Sequence, residues 1–123
     1  MSVSTRHILP QVQTWNLRDI ETPGGSRSPV VVQSEDEARA VLIGLDPGQS
    51  LGDHQVHERS WVIVLDGHVT IESGSERIEA KPGSLTWFEV DERHSISTED
   101  GARILLLLAP WPGKGHFHPE IQG

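Results

Sequence analysis

Cysteine is absent from the 123 residues. Disulfides, iron–sulfur clusters, thiolate zinc sites and cysteine nucleophiles are therefore excluded. Any metal must be held by His, Asp, Glu, Gln or water, and any nucleophile must be Ser, Thr, Lys or a carboxylate. Basic residues are few: ten Lys and Arg stand against eighteen Asp and Glu, for a net charge of -8. With no basic run to neutralise phosphates, nucleic acid is a poor partner, and an anionic membrane surface is disfavoured on the same ground. No apolar stretch approaches the ~20 residues of a spanning helix. The longest run, Ile104 to Ala109, has the length of a strand. Met1 to Pro10 lacks the apolar core of a secretion signal, which reads as a cytoplasmic protein. Hydrophobic residues make up only 35% of the chain, but they are clustered rather than spread thin. A chain of this length builds one core and little more. Histidine, by contrast, is plentiful at seven residues.

Helical signals are as scarce as cysteine. Ser34 to Arg39, opening with Ser34-Glu35-Asp36-Glu37, is the one segment that reads as a capped helix, and it is too short to build a core. Elsewhere the pattern is of short strands between turn signals. Pro29 to Gln33 is β-branched, and Ala38 to Leu45 carries Val41, Ile43 and Leu45 at alternate positions before Pro47-Gly48. Trp61 to Leu65 is a buried strand stopped by Asp66-Gly67, a hairpin dipeptide. His68 to Glu72, Arg77 to Ala80, Leu85 to Val90, His94 to Ser97 and Arg103 to Ala109 follow, separated by Ser73-Gly74-Ser75, Lys81-Pro82-Gly83 and Asp91-Glu92-Arg93. Upstream, Thr14 to Ile20 reads as an arm or a short strand, and Pro23-Gly24-Gly25-Ser26 as a turn. No repeat or low-complexity tract interrupts the chain. Many short strands at this spacing, without helical crossovers, predict an all-β sandwich or barrel.

Two segments carry a family resemblance. The first runs Gly48, five residues, His54, one residue, Val56, three residues, Ser60, six residues, Gly67. The second runs Gly83, five residues, Glu89, one residue, Asp91, two residues, His94, three residues, Thr98. This framework resembles the two motifs of the cupin superfamily, in the form of a small single-domain cupin, and covers about Ala40 to Ala109. The resemblance implies a cupin-type jelly-roll β-barrel over residues 28–110, with an N-terminal arm (1–27) and a C-terminal loop (111–123). In the family, two histidines, a glutamate and a third histidine often hold one divalent metal. Here Val56 stands at the second histidine position and Ser60 at the glutamate position, while the Pro and Gly of the second motif are Glu89 and Asp91.

In that register His54, Val56, Ser60 and His94 face a barrel pocket and are the candidate ligand-binding residues. A barrel interior is the default ligand site, although the histidines also fit a purely structural role. Side chains alternate along a strand, which puts His57 on the face opposite His54 and Val56 unless a bulge re-aims it. With such a bulge, His54, His57 and His94 form a three-histidine site suited to one divalent transition metal (Zn, Fe, Ni or Mn). Gln55 is the alternative ligand if the register shifts by one. Ser60 is a ligand contact or a small polar filler, and Glu89 a general base or a solvated strand end. Glu58 and Arg59 read as surface residues. Trp61 and Trp87 read as core or subunit contact, and His116 and His118 as tail residues.

Three functions fit. One is a small-molecule-binding cupin without tightly held metal, its ligand anionic or carbonyl-bearing. The second is a metal-dependent dioxygenase, isomerase or decarboxylase. The third is metal-free acid–base chemistry at His54 or His94, disfavoured because the chain has no tyrosine as partner acid. A homodimer is expected, with Trp15 in the arm and Trp111 in the tail as candidate contacts.

Overall fold

The computed structural model describes residues 12–35, 37–52 and 57–110. Its eight strands are β1 (Val30–Glu35), β2 (Ala38–Leu45), β3 (Arg59–Gly67), β4 (Val69–Ser73), β5 (Glu76–Ala80), β6 (Leu85–Phe88), β7 (Ser95–Ser97) and β8 (Ala102–Ala109). They form a five-stranded sheet in the order β1-β2-β8-β3-β6 and a three-stranded sheet in the order β5-β4-β7. Every pairing is antiparallel, and the fold is an all-β jelly roll. Among the described residues, no helix is long and apolar enough to cross a membrane.

Alternation builds the core. Val41, Ile43 and Leu45 on β2, Val62 and Val64 on β3 and Ile104 on β8 turn inward from one sheet. Val69, Ile71 and Ile96 meet them from the other. Every strand limit lies within two residues of the expected one, with β2 matching at both ends and β3 longer by two residues at each end.

Two expectations are corrected. Ser34 to Arg39 is no helix: Ser34 pairs with Arg39 and Glu35 with Ala38, closing the β1–β2 hairpin, and Glu37 takes the left-handed conformation at φ 89°. Sheet pairing on both sides outweighs the cap-like spacing, since so short a helix repays its nucleation poorly. Asp66-Gly67 does not join a hairpin either. β3 lies in the five-stranded sheet and β4 in the three-stranded one, so the chain changes sheets there. Gly67 serves that corner at φ 78°, and a Cβ on it would run into the Gly101 carbonyl oxygen. The Ser73-Gly74-Ser75 turn does join a hairpin, with Ser73 paired to Glu76.

The N-terminal segment lies along the outside of the larger sheet. Thr14 to Ile20 contains a 3-10 turn, Leu17–Asp19, capped by the Asn16 side chain, in place of a strand. Arg103, outward on β8, donates to the carbonyls of Leu17, Arg18 and Ile20. Arg18 bonds Asp66 at 2.8 Å. Gly44 lets Thr22 sit directly on β2, where any Cβ would collide with the threonine side chain.

Candidate functional site

Strand alternation divides the start of β3 into two sets of side chains. Glu58, Ser60, Val62 and Val64 are buried, with Glu58 and Ser60 wholly inaccessible. His57 and Arg59, between and before them, are exposed. His57 Nδ1 lies 2.9 Å from Asp91 Oδ1, and Arg59 Nε lies 3.9 Å from Glu89 Oε1. These outer pairs tie the start of β3 to the segment between β6 and β7. They are exposed, and such pairs contribute at most about 1 kcal/mol each. His57 thus stands outside the barrel, on the face that simple alternation assigns to it.

Ser60 pairs with Phe88 on β6 and with Leu108 on β8. Phe88 in turn stacks on His94, with ring centroids 3.8 Å apart and planes 10° from parallel. His94 is 2% exposed. Ser60 and His94 are thus both buried next to Phe88, the first as its register partner and the second by ring stacking. His94 Nδ1 lies 3.1 Å from the Glu92 carbonyl oxygen. A carbonyl only accepts, so Nδ1 carries the hydrogen, and Nε2 holds the lone pair in the neutral ring.

The segment before His94 is held firmly. Glu92 Oε1 accepts from the Glu89 backbone N–H at 3.0 Å, and Oε2 from the Ser73 hydroxyl at 2.8 Å. The Glu89 N–H bond, the Ser73 bond and the nearby His94 together hold the Glu92 carboxyl below its ordinary range, against the opposing effect of burial. Asp91 adopts φ 61°, a left-handed turn that an aspartate tolerates. The charged turn expected at Asp91-Glu92-Arg93 thus positions His94.

One observation departs from the reading of the sequence. Glu58, expected at the surface, is fully buried. The signal that finds it is parity: it lies two residues before Ser60 and shares the inward face of Ser60, Val62 and Val64. Glu89 is exposed and faces Arg59. Ser60 Oγ is buried with no hydrogen-bond partner among the described residues. A buried hydroxyl left so costs about 1–3 kcal/mol, and such groups call for an explanation. His54, Gln55, Val56, Trp111, His116 and His118 lie outside the described residues. Among the described residues, no three His, Asp or Glu side chains are grouped to hold a metal ion. The described buried polar side chains are one imidazole, one carboxyl and two hydroxyls (His94, Glu58, Ser60 and Thr98), which alone do not fit a histidine-rich metal centre.

The fold is a small jelly roll whose described buried polar residues are Glu58, Ser60, His94 and Thr98. Residues 41–109 match the Cupin domain family, and the chain belongs to that family. No curated protein matches the sequence. Among solved structures, TT1209 from Thermus thermophilus is 22% identical, covering 80% of this chain and 98% of that chain at a TM-score of 0.71. An RmlC-like cupin protein from Desulfovibrio desulfuricans is 18% identical, with 81% and 98% covered and a TM-score of 0.71. The DMSP lyase DddQ from Ruegeria pomeroyi is 18% identical, with 66% and 42% covered and a TM-score of 0.61. At these identities the likeness shows the fold.

Proposed function

We propose that this cupin binds a small organic molecule inside the barrel, between Ser60, His94 and Glu58, with His54 and Val56 completing the site. The observation that carries the proposal is the Ser60 hydroxyl, wholly buried and without a hydrogen-bond partner among the described residues. A bound molecule with a polar group would supply that partner. His94 Nε2 adds an acceptor in the neutral ring, and Phe88 a flat apolar wall. The sequence alone suggests an anionic or carbonyl-bearing ligand, and a polar group on it would face the Ser60 hydroxyl.

The buried carboxyl also favours a second reading. Glu58, His94 and His54 together would offer oxygen and nitrogen donors to a divalent metal, as a metal-dependent cupin enzyme requires. Elemental mass spectrometry of untagged protein purified without chelator separates the two. Metal far below one equivalent per folded chain supports the organic-ligand reading. Near one equivalent of Fe, Mn, Ni or Zn, lost in His94→Ala, replaces it with the metal enzyme.

A further inference from the structure

The segment between β6 and β7 carries three carboxylates, and they face two ways. Glu89 and Asp91 are exposed, with Arg59 at 3.9 Å and His57 at 2.9 Å. Glu92 is half-buried instead. Its Oε1 accepts from the Glu89 backbone N–H at 3.0 Å, and its own N–H donates back to the Glu89 carbonyl at 3.3 Å. The two bonds close the Glu89–Glu92 turn reciprocally, as the paired bonds of a capping box close a helix start. Its Oε2 accepts from the Ser73 hydroxyl at 2.8 Å, and the same hydroxyl lies 2.9 Å from the Arg93 carbonyl oxygen. Ser73 is held in β4 by its pairing with Glu76 across the hairpin. One carboxylate therefore fastens the turn both to itself and to the smaller sheet.

The residue fastened in this way is the one whose carbonyl meets His94 Nδ1 at 3.1 Å. Stacking on Phe88 fixes the plane of the His94 ring, but not its direction within that plane. A half-turn of the ring keeps the stack and puts a carbon where Nδ1 stands, so a hydrogen-bond partner must choose between the two. We propose that the Glu92 side chain is a positioning residue for His94: by clamping the turn it holds the Glu92 carbonyl where it selects one ring direction and the Nδ1–H tautomer. The hydrogen bond made by one ring nitrogen decides the state of the other, and partners one step removed set the orientation of a working imidazole in this manner. The inference concerns the imidazole of the proposed ligand site. It is read in the protein without ligand, so it and the ligand-binding reading can fail separately.

The test is nitrogen-15 NMR of the His94 ring in the full chain, exhaustively dialysed, at about pH 8, where an ordinary histidine is neutral. The nitrogen with the hydrogen and the nitrogen with the lone pair resonate far apart, so the tautomer is read directly; the signals are assigned by their loss in His94→Gln. The wild type should show the Nδ1–H form. Glu92→Ala should lose that single form as the Nε2–H form becomes populated, and Ser73→Ala should shift the same way to a smaller extent. Glu92→Gln should restore the wild-type pattern. Its amide oxygen still accepts from the Glu89 N–H, and its NH₂ donates to the Ser73 oxygen, whose hydrogen then serves the Arg93 carbonyl. A wild type protonated at Nε2 alone overturns the proposal, whatever the variants do. A folded Glu92→Ala with the wild-type tautomer overturns it too, since a clamp that serves only stability would lower the melting temperature and leave the tautomer as it was. If Glu92→Ala does not fold, Ser73→Ala decides, and an unchanged tautomer there overturns the proposal as well.

Discussion

Replacing Ser60 by alanine removes one oxygen and nothing else from the inward face of β3. In most buried positions the loss of a hydroxyl breaks a hydrogen bond and lowers stability by about 1 kcal/mol. Ser60 Oγ has no partner among the described residues, so the folded, ligand-free protein carries the cost of its desolvation, about 1–3 kcal/mol. Alanine relieves that cost but gives up a few dispersion contacts. The net expectation is a ligand-free variant as stable as the wild type or more stable, by up to about 1 kcal/mol. For a chain of this size that is a rise in Tm of up to about 4 °C. The assay is reversible thermal or denaturant unfolding of both proteins after exhaustive dialysis. A ligand that bonds the hydroxyl should meanwhile bind the variant about tenfold more weakly. A Ser60→Ala protein destabilised by more than about 1 kcal/mol would refute the reasoning, because the hydroxyl would then be satisfied within the ligand-free fold.

Gly67→Ala should destabilise by more than about 2 kcal/mol, because φ 78° is adverse for alanine and its Cβ would strike the Gly101 backbone; denaturant melts measure this. His57→Ala should cost less than about 1 kcal/mol, since its Asp91 pair is exposed, and should leave metal content and ligand response as in the wild type. Loss of either would bring His57 back into the site. The Glu92 carboxyl is depressed from the ordinary value of 4.5, so it contributes stability above that value, and the contribution disappears as pH falls through the lower folded-state value. Glu92→Gln should therefore flatten the acid limb of a Tm-against-pH curve, and an unchanged limb would count against the Glu89 and Ser73 bonds as its cause.

The barrel was legible because period-two alternation and glycine-marked turns act locally, and both survive into the structure at Val41, Ile43 and Leu45 and at the β4–β5 turn. What the sequence hid is tertiary. Ser34-Glu35-Asp36-Glu37 looks like a helix start until β2 pairs back on β1. Asp66-Gly67 reads as a hairpin because a positive φ serves a change of sheet equally well. Motif spacing points to Ser60 and His94, but that Phe88 neighbours both depends on β6 register. Glu58 was assigned to the surface on its charge, although the same alternation that turned Val62 and Val64 inward applied to it.

The most direct test of ligand binding in the barrel is a thermal-shift screen of small metabolites, run with chelator present on the wild type and on His94→Ala. A small organic molecule with a polar group should raise the wild-type Tm by several degrees, and His94→Ala, though folded, should not respond. A library that stabilises neither protein, or a ligand that stabilises both equally, would contradict it.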